Sequence, residues 1–192
     1  MSEDRTPEAE APADASPPPR PPRPRRRSRL IDIAAVGGLI IVLAYLHTRV
    51  VQVVYVSTGS MEPTIRPHDR LLVYVGAYRK TTPQRGDVIA FWSTTLGEYE
   101  VKRVIGIGGD RLFVGGGVVI RNGTRLREPY IAEPMVRERP VAGRLEADEL
   151  FVMGDNRNHS EDSRDYGPIH LQQVKGRIFF RIFPPDRAGR VR

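Results

Sequence analysis

The sequence predicts a mainly β protein, an antiparallel barrel-like or sandwich-like domain carried behind one N-terminal transmembrane helix. Three observations predict it. Residues 30–46, LIDIAAVGGLIIVLAYL, hold one charge in 17 positions. Beyond residue 49, short runs rich in β-branched and aromatic residues alternate with Gly, Pro and Asp, with little helical periodicity. Asn122-Gly123 between two of these runs is a strong two-residue hairpin signal. The chain has 192 residues, 40% hydrophobic and 28% charged, which suits one folded domain plus a tail and excludes collagen-like, mucin-like and wholly disordered classes.

The elements follow in order. Residues 1–29 contain 8 of the 17 prolines and almost no apolar side chain larger than alanine, so they cannot offset their ordering entropy and read as a disordered tail. That tail ends in Arg20, Arg23, Arg25, Arg26, Arg27 and Arg29. With 30 Lys+Arg against 23 Asp+Glu, the net charge of +7 would suit nucleic acid or an anionic membrane surface. The arginines abut the apolar run, so membrane lipid is the expected partner and nucleic acid is not. As a helix, residues 30–46 span roughly 26 Å, slightly less than a hydrocarbon core of about 30 Å, and flanking residues close the gap. Leu46-His47-Thr48-Arg49 lacks a small-x-small cleavage pattern, which favours a retained anchor over a removable leader. Six arginines before the span and Arg49 after it keep the N-terminus cytoplasmic, giving a single-pass protein of the cell membrane with its folded domain, residues 50–185, outside.

Within that domain the expected strands are Val50–Val56, Arg70–Val75, Asp87–Trp92, Glu98–Ile107, Arg111–Val114, Val118–Arg121, Thr124–Leu126, Leu150–Met153 and Gly176–Ile182. Residues 133–149 read as a loop with room for a short helix, and residues 186–192 as a short C-terminal tail. No internal repeat is present.

Cysteine is absent, so a thiol nucleophile, disulfides and cysteine-ligated metals are excluded. His47, His68, His159 and His170 show no metal-binding spacing, and neither a metal nor any other cofactor is expected. Chemistry then has three candidate segments. Ser57-Thr58-Gly59-Ser60-Met61-Glu62-Pro63-Thr64 follows an apolar strand, where a turn can present a serine hydroxyl and its N–H together. Only three basic residues are lysine, Lys80, Lys102 and Lys175. Lys102 lies in a strand whose two-residue period separates it from Arg103, so one of the two cations can point inward. A desolvated amine loses its proton readily, which arginine cannot do. The third segment, Gly154–Arg164, is dense in small polar and charged groups, and its minimal reading is a loop closed by an Asp162–Arg164 contact.

Together these segments resemble the type I signal peptidases, membrane-anchored bacterial proteases that remove signal peptides. Four blocks match in order: STGSMEPTI at 57–65, GDVIAF at 86–91, VKRVIGIGGD at 101–110 and GDNRNHSEDSR at 154–164. Ile107-Gly108-Gly109 departs from the pattern, since many members have a proline before the second glycine, and His159 stands where asparagine is frequent. The resemblance implies a Ser60 nucleophile and a Lys102 general base, with the Ser60 N–H and Thr58 Oγ holding the oxyanion. It further implies that Ser160 orients the lysine, that Asp162 and Arg164 support the loop, and that Met61 with Tyr55 and Val56 lines the cleft. The expected partners are exported precursor proteins, bound as extended strands and cut after small residues. Two other readings stay open: a related Ser/Lys protease serving a dedicated substrate, and a catalytically silent anchored β-domain. A Ser60–His159–Asp155 triad is a further arrangement of residues present.

Overall fold

The computed structural model describes residues 26–136 and 139–191. Most of the segment expected to be a disordered tail, residues 1–25, lies outside the described residues. The chain divides into two units, residues 1–40 and 41–192.

Helix α1 (Arg26–Arg49) contains the apolar run. Ile31, Ile33, Leu39, Ile40, Ile41 and Leu43 on it are all exposed. A helix that is apolar on every side has no single face to bury, unlike an amphipathic surface helix. Among the described residues no helix is long and apolar enough to cross a membrane.

The β part comprises β1 (Val51–Tyr55), β2 (Arg70–Tyr74), β3 (Val88–Ser93), β4 (Glu98–Ile107), β5 (Arg111–Gly115), β6 (Val118–Arg121), β7 (Thr124–Arg125), β8 (Val141–Arg144), β9 (Glu149–Met153), β10 (Ile169–His170), β11 (Val174–Phe183) and β12 (Gly189–Arg190), with the one-turn helix α2 (Ser163–Tyr166). Every pairing is antiparallel. The large sheet runs β1-β2-β11-β3-β4-β9-β10, with β12 added to β11, and the small sheet runs β7-β6-β5-β8. The expected barrel or sandwich is thus two antiparallel sheets, and the small one is inserted between the neighbouring strands β4 and β9.

Two readings of the sequence change, and the hairpin stands. Residues 133–149 supply strand β8, paired along β5 from Arg111↔Arg144 to Val114↔Val141. Its residues, Val141-Ala142-Gly143-Arg144, carry little apolar patterning, so the pairing partner rather than propensity decides their state. Gly189–Arg190 pairs with β11, and Arg187 reaches the buried Asp69 at 3.1 Å, so most of the supposed C-terminal tail is tied to the sheet. The Asn122-Gly123 hairpin is present, with φ of 51° and 80°, the double positive φ of a primed turn.

Three apolar clusters fill the interior. One packs Val56, Met61 and Ile65 against Leu71, Val73, Val88 and Ile178. A second joins Ile105, Phe151 and Met153 to Leu112 and Val119 of the small sheet. A third sets Ile89, Phe91, Val104 and Val152 on one face of β3, β4 and β9. Beyond its exposed first two residues strand β4 is therefore covered on both faces, so the charged residues in that stretch have no solvent side.

Candidate active site

Strand β1 ends at Tyr55, and the chain then turns through Val56–Ser60 into the cleft. Two apolar anchors fix this turn: Met61 and Ile65 are 2% and 0% exposed, and the Ile65 N–H donates to the Met61 carbonyl at 2.9 Å. The Gly59 carbonyl accepts from the Glu62 N–H at 3.1 Å and from Asn156 Nδ2 at 3.0 Å. Because that carbonyl and the Ser60 N–H belong to one planar peptide, fixing the oxygen aims the N–H to the opposite side. The Ser60 carbonyl in turn accepts from the Asn156 N–H at 3.0 Å. Gly154 makes this close approach possible, since a Cβ there would stand 2.4 Å from the Ser60 carbonyl oxygen and 2.3 Å from Ser160 Oγ.

Lys102 comes from β4, opposite Ile89 of β3, so it shares the face of the Ile89–Phe91–Val104 cluster. Its Nζ donates to Ser60 Oγ at 3.1 Å. The residue is 4% exposed. Arg103, expected to face the other way, does so and is equally buried, because the opposite face of β4 is covered too. Its guanidinium forks onto Asp155 at 2.8 and 2.6 Å and lies over the Tyr130 ring at 4.2 Å. Both cations therefore point inward, and only Arg103 has its charge neutralised by a bidentate partner.

Thr58 Oγ1 lies 3.4 Å from Ser60 Oγ on the open side of the turn. Ser160 is buried against Gly154. The Asp162–Arg164 contact is present as a fork of 2.8 Å bonds, and Asp162 also accepts the Gly154 N–H at 3.0 Å and caps α2. Burial pushes the Asp162 carboxyl up, but Arg164, the Gly154 N–H and the Ser160 hydroxyl outweigh it and hold the group below its ordinary range. Met61, Tyr55 and Val56 line the same cleft of about 350 Å³ as Ser60 and Lys102.

His159 is exposed at the cleft rim. Asp155, the carboxylate a histidine base would need, is occupied by Arg103 and by Thr64 Oγ1 at 2.6 Å, so the triad arrangement has no group to orient its imidazole.

Two contributors escaped the sequence reading. Glu100, two residues before Lys102 on the same strand face, pairs with its Nζ at 2.9 Å. The two-residue strand period alone could have found it. Asn156, which bonds Gly59 and Ser60, lies in the dense polar segment the sequence marked, but its role was not legible because its partners are about a hundred residues away.

The chain matches the family described as signal peptidase, peptidase S26, over residues 30–183. A signal peptidase I of Leptolyngbya laminosa is 36% identical, with 95% of each chain covered. A probable signal peptidase I-1 of Synechocystis sp. is 39% identical over 71% of this chain and 74% of its own length. A crystal structure of a signal peptidase I from Enterococcus faecalis V583 is 30% identical and covers 50% of this chain and 97% of that one, with a TM-score of 0.46. With residues 30–183 matched to the family and more than a third of the positions shared with a relative of nearly the same extent, this chain belongs to the signal peptidase, peptidase S26 family.

Proposed function

We propose that the protein is a serine endopeptidase of the cell membrane that removes signal peptides from exported precursors, with Ser60 as nucleophile and Lys102 as general base. The observation that carries this reading is the 3.1 Å contact between Lys102 Nζ and Ser60 Oγ at the floor of an open cleft. The neutral amine takes the Ser60 proton as Oγ attacks the scissile carbonyl. The ammonium then protonates the leaving amine, and the same base activates the water that hydrolyses the acyl-enzyme. The Ser60 N–H and Thr58 Oγ hold the oxyanion. Thr58 Oγ1 lies 3.4 Å from Ser60 Oγ, within reach of an oxygen on a carbon that Ser60 attacks. Ser160, Asp162 and Arg164 keep the loop beneath the dyad in shape.

The substrate is an extended segment laid in the cleft beside β1, which forms one edge of the large sheet. An edge strand offers main-chain donors and acceptors to such a segment. Small residues precede the cut because Val56, Met61 and Ile65 fill the floor. The run at residues 30–46 anchors the enzyme with its N-terminus in the cytoplasm and residues 50–185 outside, so the site meets precursors that are themselves held in the membrane. The exposed apolar side chains of α1 and the arginines before it support that placement.

The test is cleavage of a secretory precursor in detergent micelles by wild type, Ser60→Ala and Lys102→Arg. Neither variant should cut: one lacks the nucleophile, and the other keeps positive charge but cannot give up a proton. An arginine variant with most of the wild-type rate would mean that residue 102 supplies charge only and that the dyad is wrong.

A further inference from the structure

The mechanism above leaves Glu100 unused, although it lies nearer to the Lys102 amine than the serine does. Glu100 Oε2 is 2.9 Å from Lys102 Nζ, and the two side chains are 6% and 5% exposed. Both project from one face of β4, and their partners across the strand pair, Phe91 and Ile89, are buried and apolar. The second oxygen, Oε1, is buried as well, and the buried Tyr166 hydroxyl of α2 faces this carboxylate. Keeping a carboxylate here carries a large desolvation cost. A strand residue needed only for packing would be apolar.

We propose that Glu100 is a positioning residue for Lys102, its carboxylate holding the amine against Ser60 Oγ and stabilising the ammonium that forms when the amine takes the serine proton. This rests on the Ser60–Lys102 reading. In the acylation step the Ser60 O–H bond breaks and an Oγ–C bond forms. The carbonyl π pair moves onto its oxygen, and the proton passes to Nζ. The ammonium then stands beside an anion instead of alone in an apolar wall. When the tetrahedral species collapses, the proton goes on to the leaving nitrogen. Glu100 gains and loses nothing, the part a carboxylate plays beside a histidine base.

The Ser160 hydroxyl serves Asp162, and the charged and titratable groups around the amine do not duplicate Glu100. Ser60 faces it from the turn after β1. Glu98 of β4, with His159 and Glu161 of the 154–164 loop, lines the same cleft from exposed positions. Tyr166 of α2 faces Glu100, and burial followed by the Glu100 charge pushes its phenol above the usual range, so it stays neutral. Arg103 and Asp155 neutralise one another on the far face of β4. Glu100 is therefore the anion in direct contact with the Lys102 amine.

The experiment compares pH–rate profiles of the full chain in detergent micelles, wild type against Glu100→Gln and Glu100→Asp, with Ser60→Ala and Lys102→Arg as controls. For Glu100→Gln the rising limb of kcat/KM should move to lower pH, because the amine loses the anion that faces it. The alkaline plateau should fall on the order of 10²-fold, mainly in kcat. Glu100→Asp should recover part of both. If the two controls are inactive and Glu100→Gln leaves limb and plateau in place, the role of Glu100 is overturned while the dyad stands. If either control retains the wild-type rate, the dyad itself fails, whatever Glu100 does. If Glu100→Gln does not fold, a ¹³C NMR titration of wild type decides. The chain has three lysines, so Lys102 Cε is assigned with Lys102→Arg. Inflections shared by Lys102 Cε and Glu100 Cδ support the pair, and independent titrations overturn it.

Discussion

Thr58 shows how much can rest on a single hydroxyl. It stands two residues before Ser60, with its Oγ1 3.4 Å from the serine oxygen. If this hydroxyl donates to the oxyanion, Thr58→Val keeps the shape and removes the donor. Loss of one such donor costs about 2.7–4 kcal/mol of barrier, or on the order of 10²–10³ in kcat, and Thr58→Ser should be much milder. Steady-state rates on a precursor check this, and equal rates for Val and Thr would leave the oxyanion to backbone N–H groups. At Gly154 the constraint is steric. Any side chain there meets the Ser60 carbonyl at 2.4 Å, a backbone atom that cannot swing away. Gly154→Ala should therefore shift the nucleophile. A displacement of about 1 Å costs roughly 10²-fold in rate, whereas overpacking lowers stability by about 1–3 kcal/mol. A kcat unchanged beside a lowered melting temperature would show that the turn adapts without moving Ser60.

Among the elements, the junction between the two sheets has the most at stake, and Asp110 holds it. Its carboxylate accepts from Arg85 Nε and Nη2 at 2.9 and 2.7 Å, the Ile107 N–H at 3.0 Å and Asn122 Nδ2 at 2.7 Å, joining the β2–β3 connection, the β4–β5 turn and the β6–β7 hairpin. Burial raises this carboxyl, but Arg85, the Ile107 N–H and Asn122 together bring it down to about 2. A folded value below the unfolded one of about 3.9 stabilises the fold above the unfolded value, and that contribution disappears as pH falls through the folded value. Asp110→Asn should therefore be less stable than wild type at neutral pH, with the gap closing between about pH 4 and about pH 2. Urea midpoints at a series of pH values measure it, and a gap independent of pH would remove the charge from the account. The same turn explains the departure at Ile107-Gly108-Gly109. A Cβ on Gly108 would stand 2.3 Å from the Ala147 carbonyl oxygen, and Gly109 has a φ of 88°. The chain leaving β4 and the chain returning to β9 cross there without room for a side chain.

Over the whole molecule, the β part has its own apolar clusters and needs nothing from residues 1–49 to close its sheets. A chain beginning near residue 50 should fold and cut a soluble precursor segment, but process membrane-inserted precursors less efficiently. Circular dichroism and parallel assays on the two substrates test this, and loss of the folded domain on truncation would place the boundary elsewhere. Much of this organisation was legible in the sequence. Glu98–Ile107 and Val118–Arg121 have the strand bounds their composition indicates, and the apolar run forms a helix. Ser60, Lys102 and the 154–164 loop were marked by local chemistry, namely a serine in a turn, a rare lysine and a dense polar segment.

What the sequence by itself determined is periodicity, composition and the residue types able to do the chemistry, because each of these is a property of neighbours along the chain. What only the tertiary structure decided is what meets across it. Val141–Arg144 became a strand because β5 offered an unpaired edge, and both Lys102 and Arg103 are buried because separate apolar layers cover the two faces of β4. Asn156 clamps the serine turn because the insertion of the small sheet returns β9 alongside β4. Contacts of this kind depend on burial and on pairing between distant segments, and no local pattern encodes them.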